Sequence, residues 1–143
     1  MVITHVLASS KKKHAAAARA KGHVGLALYH IGRTTLAGVG HTLPHSVRKL
    51  PHPPTIRAWD FLSLALAVYG ADRLVLRGNS PDGWTRVIAL DVEVVDPAPW
   101  QAQAMQLAEA LRFLSGDIWY VKFQAGGRPP PDFPPSLTDR DCA

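Results

Sequence analysis

From Thr55 to Tyr69 the apolar residues recur at three- and four-residue intervals: Ile56, Trp59, Leu62, Leu66 and Tyr69, with Phe61, Leu64 and Val68 widening the stripe. A helix apolar over that much of its circumference has to be buried on more than one side. The chain has 143 residues, which is room for one compact domain. Its cover must therefore come from the strand-like runs before and after it. Thr55, behind Pro53 and Pro54, is the expected N-cap. The helix either breaks at Gly70 or runs on through Val75.

Five further runs read as strands. Val2–Leu7 is short, β-branched and apolar. Val24–Ile31 and Thr34–His41 read as two strands joined by a turn at Gly32-Arg33. Trp84–Val95 alternates in its second half, where Ile88, Leu90, Val92 and Val94 face one way and Asp91 and Glu93 the other, as in a strand with one wet face. Asp117–Phe123 is the last strand, and Asn79-Ser80-Pro81-Asp82-Gly83 is a strong turn signal. A second helix starts at Asp96-Pro97 and ends at Ser115-Gly116, with Trp100, Ala104, Leu107, Ala108, Leu111 and Leu114 as its inner face. Ser9–His23 is Lys/Ala-rich without an apolar stripe and reads as a mobile basic loop. Pro44, Pro51, Pro53 and Pro54 predict an irregular, stiff crossover. The expected order is β-β-β-α-β-α-β, an α+β or α/β fold in which helices pack on a small mixed sheet. Residues 1–125 form the domain. Residues 126–143, with Pro129-Pro130-Pro131 and Pro134-Pro135, form a Pro-rich linker or tail.

Charge is divided unevenly. Residues 1–59 carry nine Lys/Arg and no Asp or Glu, whereas residues 60–143 carry the other seven and all eleven acids. The halves run +9 and −4, and all seven histidines fall in the first 52 residues. A basic region without counter-charge attracts phosphates, nucleic acid or an acidic protein face, unless the other half of the fold complements it. Aromatic residues for base stacking are sparse here, Tyr29 being the only Phe, Tyr or Trp before Trp59. No apolar run approaches the ~20 residues of a membrane helix, and the N-terminus lacks a secretory pattern. Cys142 is the single cysteine, which excludes internal disulfides and Cys-rich zinc sites. These features predict a cytoplasmic protein with no membrane partner.

The candidate chemistry is thin. His41-x-x-x-His45 has metal-ligand spacing, but Pro44 breaks the helix that spacing needs, and loop histidines are the simpler reading. His5 and His30 lie in apolar runs and read as satisfied core or edge residues. Asp72 and Arg73 read as ordinary surface partners, and the four tryptophans, Trp59, Trp84, Trp100 and Trp119, as core or core-edge residues. No Gly-rich phosphate loop, Ser-Gly-Gly-x-Asp-Ser loop or nucleophile elbow occurs. No cofactor and no metal is expected, and stand-alone catalysis through the histidines is the least favoured reading.

A resemblance adds to this. Leu64-Ala65-Leu66-Ala67-Val68-Tyr69-Gly70-Ala71-Asp72-Arg73-Leu74-Val75 is followed by Trp84-Thr85-Arg86-Val87-Ile88-Ala89-Leu90. Asp96-Pro97-x-x-Trp100 and Phe113-Leu114-Ser115-Gly116-Asp117-x-Trp119 come next. In that order these stretches, roughly residues 55–123, resemble the N-terminal region of 7-cyano-7-deazaguanine synthase-like proteins from bacterial anti-phage defence operons of the Qat type. The resemblance implies an accessory domain ahead of an ATP-binding, adenylating catalytic domain related to the enzymes that make the queuosine precursor. The Ser-Gly-Gly-x-Asp-Ser loop of that domain has no counterpart in these residues, so no ATP-site residue is carried over. ATP is expected only for the missing domain, and the chain is expected to be a fragment of a longer enzyme rather than a stand-alone module. Its partner would be that catalytic domain or another protein of the same operon. The expected contacts to a carboxylate or phosphate are Arg73, Arg77 and Arg86, at exposed strand-to-helix junctions, with Lys11, Lys12 and Lys13 as a second group. The competing reading is a basic module that binds nucleic acid.

Overall fold

The computed structural model describes residues 2–131. Five strands form one sheet: β1 (Ile3–Ser9), β2 (Val24–Leu28), β3 (Ala37–Val39), β4 (Val87–Val94) and β5 (Ile118–Ala125). Their order is β3-β2-β1-β4-β5 and every pair is parallel. Five helices connect them: α1 (Lys12–Ala20), α2 (Leu43–Val47), α3 (Ile56–Leu74), α4 (Pro97–Ala102) and α5 (Ala104–Ser115). The protein is therefore an α/β fold, with a parallel sheet in place of the expected mixed one.

Strand register shows which helix covers which face. Leu26 of β2 packs against Gly70 of α3, while its neighbour Gly25 lies against the Ala15 backbone of α1. Successive strand residues point to opposite faces, so α1 and α3 sit on opposite sides. Phe123 stands in register with Val92, Ala8 and Leu26, and its ring meets Trp100 of α4 at 6.1 Å. Hence α3, α4 and α5 share one face, over a core that includes Val6, Leu26, Ile88, Leu90, Val92, Trp119 and Phe123. The other face is covered by α1 over β1 and β2, and Tyr120 of β5 is left exposed there.

Four expectations need correction. The segment 9–23 is not a loop: Lys12–Ala20 is helical and buries Ala15 and Ala18. The Ala-rich run is marginal by itself, and docking on Gly25 supplies what propensity does not. Gly25→Ala places a methyl group into the Ala15 carbonyl. It is expected to lower stability by about 1–3 kcal/mol, and urea unfolding checks this. The supposed hairpin at Gly32-Arg33 is instead a parallel pair. Tyr29 turns the chain at φ 63°, an Arg33–Leu36 bridge closes the loop, and only Ala37–Val39 is strand. The proline-rich crossover contains α2, whose Pro44 sits in the first turn, where its missing N–H costs nothing. Finally, the helix expected over 96–116 divides at Gln103 into α4 and α5.

The remaining elements match. Thr55 Oγ1 accepts from Ala58 N at 3.1 Å and caps α3, which passes Gly70 unbroken. Gly116 ends α5 at φ 75°, and Asp82 Oδ1 accepts from the amides of Trp84 and Thr85 in the turn before β4. Beyond β5, residues 126–128 are tied to the body. Gly127 N donates to Val94 O at 3.0 Å and Arg128 N to Ser10 Oγ at 2.8 Å, while Arg128 O accepts from Trp59 Nε1 at 2.7 Å. Residues 132–143 of the expected tail, including Cys142, lie outside the described residues.

Candidate functional site

α3 and α5 lie on the same sheet face with a groove of about 670 Å³ between them. Phe61, Val68 and Tyr69 line one wall, Leu107, Leu111 and Leu114 the other, and Trp119 closes the far end together with Asp72, Arg77 and Ser115. The walls are apolar and their crests are open to solvent. Leu114 is 78% exposed, and Phe61 and Tyr69 are each more than half exposed. Leu114 was expected inside, but α5 packs on the sheet through Ala104, Leu107, Ala108 and Leu111, and Leu114 faces the open groove instead. At the opposite end of the groove Trp100 stacks on Phe61, ring centres 6.0 Å apart. Contiguous apolar surface of this kind marks interaction sites more often than isolated exposed residues do.

The polar end of the groove is a closed ion network. Asp117 is fully buried and Arg86 only 3% exposed. The Asp117 carboxylate accepts from Arg86 Nε at 3.1 Å, Arg86 Nη2 at 2.6 Å and Arg86 N at 2.9 Å, and from both Nη atoms of Arg77 at 2.9 and 3.1 Å. Arg86 further donates to the carbonyls of Asp72 and Val75 and to Asp72 Oδ1. Burial alone raises the Asp117 carboxyl. The hydrogen bonds and charge of Arg86, with the charge of Arg77, outweigh it and hold the group below the ordinary carboxylate range. The same bonds to Asp117 lead in raising the Arg86 guanidinium, against its own desolvation.

The expected site residues therefore separate. Arg86 is not an exposed junction residue: all five of its guanidinium hydrogens are engaged within the fold. Arg77 spends Nη1 and Nη2 on Asp117, Trp84 O and Ser115 O, and its guanidinium lies 5.1 Å from the Trp84 ring centre. Trp84, expected in the core or at its edge, is 67% exposed beside that guanidinium. Arg73 is exposed at the rim and donates to Tyr69 Oη at 3.0 Å, while Asp72 pairs with Arg86 rather than with Arg73. Lys11, Lys12 and Lys13 are exposed at the start of α1, beyond the carboxyl end of β1 and away from the groove.

The histidines fall into separate settings. His14 Nδ1 lies 2.7 Å from Glu93 Oε1, which is why Glu93 is buried on the face expected to be wet. His30 Nε2 donates to Ser10 O at 2.6 Å, and His5 stacks on His23. Among the described residues no group of three His, Cys, Asp or Glu side chains is placed to hold a metal ion, and no helix is long and apolar enough to cross a membrane.

Comparison of the chain with protein-family models, curated proteins and solved structures found no match in any of the three. The sequence placed the exposed groove residues in the core: Phe61 and Tyr69 in the stripe of α3, and Leu114 on the inner face of the second helix. Their spacing marks an apolar helix face and does not say whether that face is covered.

Proposed function

We propose that this chain is an accessory recognition domain of a deazaguanine synthase-like, ATP-dependent enzyme in anti-phage defence. It contributes binding rather than chemistry. The open apolar groove between α3 and α5 carries the reading, because Phe61, Tyr69 and Leu114 line it and are each more than half exposed. The stretches that carry the resemblance support it as well. Residues 64–75 form a groove wall, 84–90 lead into β4, and 113–119 supply Leu114, Ser115, Asp117 and Trp119. ATP use belongs in this reading to the catalytic domain, and the partner is a cytoplasmic protein: that domain, or a protein encoded beside it.

Titration calorimetry of this chain against the purified catalytic domain and against each co-encoded protein tests the reading. One of them is expected to bind at micromolar affinity or tighter. Leu114→Glu, placed on an exposed crest where the fold tolerates it, is expected to weaken that binding at least tenfold, as truncation of interface anchors does. Absence of binding to every one of them at 100 µM, about the weak end of specific association, overturns the reading.

A further inference from the structure

In an all-parallel sheet, the loops that follow the strands collect at one edge, and this fold places a cation cluster there. Lys11, Lys12 and Lys13 follow β1, Arg48 and Lys49 follow α2, Arg57 opens α3, and Arg128 lies on the segment after β5. Ser10 is the hub: its Oγ accepts from Arg128 N at 2.8 Å and its carbonyl from His30 Nε2 at 2.6 Å. Lys11 Nζ lies beside Gly126, two residues before Arg128, on the side where the Glu93 carboxylate also stands. The hub sits where the strand order reverses between β1 and β4, the position at which open α/β sheets bind ligands.

The acids at this edge are already committed. Glu93 is buried against His14. Asp60, also buried, accepts from Val95 N and Asp96 N, both at 2.9 Å. Asp96 is the exposed acid at this edge among the described residues. Among the described residues, none of the seven cations forms an ion pair. The strands from β3 to β4 span three spacings of about 4.8 Å, roughly 14 Å of edge. With one phosphate charge per ~3.4 Å of a strand, that length faces several phosphates rather than one.

We infer that this carboxyl edge binds the phosphate backbone of nucleic acid without reading its sequence. The aromatics beneath the edge, Tyr29 and Trp59, are buried and stacked on each other at 4.5 Å. They present no face to a base, which leaves backbone charge as the contact. An acidic protein face is the poorer fit, because the aromatic anchors that specific protein interfaces favour are buried at this edge, where the exposed apolar side chains are the aliphatic Ile31, Leu50 and Ile56.

The test is fluorescence anisotropy with fluorescein-labelled dT20 between 50 and 300 mM KCl. Affinity is expected to fall with a log–log slope of about −2 to −4, the value for three to five neutralised phosphates on a single strand. Lys11→Gln/Lys12→Gln/Lys13→Gln is expected to make the slope shallower by about 2, with the circular dichroism spectrum unchanged. Arg19→Gln/Lys21→Gln, at the far end of α1, is expected to stay within twofold of wild type, as is Leu114→Glu in the groove. No binding at 50 mM KCl, an unchanged slope in the triple variant, or an equal loss in the Arg19/Lys21 control overturns the inference.

Discussion

Asp117→Ala is expected to lower the unfolding free energy by about 3–5 kcal/mol, the usual cost of removing one partner from a buried ion pair. The loss comes from what remains. The Arg86 guanidinium, 3% exposed, keeps only the solvent-facing carboxylate of Asp72 as counter-charge. Arg77 loses two donors' worth of bonding at the same time. Small domains have about 5–15 kcal/mol in total, so a substantial part of the molecule's stability is at stake. Urea unfolding measures it, and a loss under about 1 kcal/mol, the worth of a surface pair, would mean that the network is solvated. The pH dependence has a definite sign. The folded Asp117 carboxyl lies below its ordinary value of 3.8. Its stabilisation is therefore complete above that value and is lost as pH falls through the lower, folded one. Asp117→Asn should be less stable than wild type at neutral pH, and its stability should fall less steeply below about pH 4.

Trp59→Ala carries the second large effect, about 3–5 kcal/mol for deleting a buried indole. Trp59 is 1% exposed and lies parallel to Tyr29, 12° between planes. It also donates from Nε1 to Arg128 O. Around it the polar groups are satisfied in order: Ser63 Oγ donates to Trp59 O at 3.2 Å, which leaves the Tyr29 hydroxyl to donate to Ser63 Oγ at 2.7 Å. Burial pushes the Tyr29 phenol up to about 12, so it keeps that proton across the neutral range. Trp59→Phe separates packing from tethering. It keeps most of the ring stack and loses the donor, at a cost of about 1 kcal/mol. It is also expected to speed amide exchange at Gly127 and Arg128 ahead of the sheet. Unchanged exchange at those two amides would show that Ser10 and Val94 hold the segment without Trp59.

The legible parts of the fold were those written in local contacts. Thr55, Gly116 and Asp82 each act within four residues of their own position, and α3 announced itself by its stripe. The residues of the polar end were visible one by one, but Arg86 read as an exposed ligand because nothing local marks it as buried. Its partner Asp117 is 31 positions away. The groove was hidden for a related reason. A stripe on α5 says which side is apolar, not whether a neighbouring helix closes over it, so Leu114 was placed inside when α3 leaves the groove beside it open. The cation-rich edge lies between these cases. Charge division was plain in the sequence, while its concentration near Ser10 depends on strands running parallel.

Alone, the sequence determined the long helix α3 and its N-cap, the strands β4 and β5, and the excess of cations in the first 59 residues. Each of these is a matter of composition or of contacts a few residues apart. The sequence did not determine the face α3 buries: Ile56, Phe61 and Tyr69 of the expected stripe are exposed, and Ser63, Ala67, Gly70 and Ala71 meet the core. Tertiary structure decided that β2 and β3 run parallel, that the Ala-rich segment 12–20 is a helix, and that Arg86 and Asp117 close on each other while Phe113 and Leu114 stay open. Strand direction and polar pairing are settled by residues tens of positions apart. Their energies come from burial that exists only once the sheet has formed.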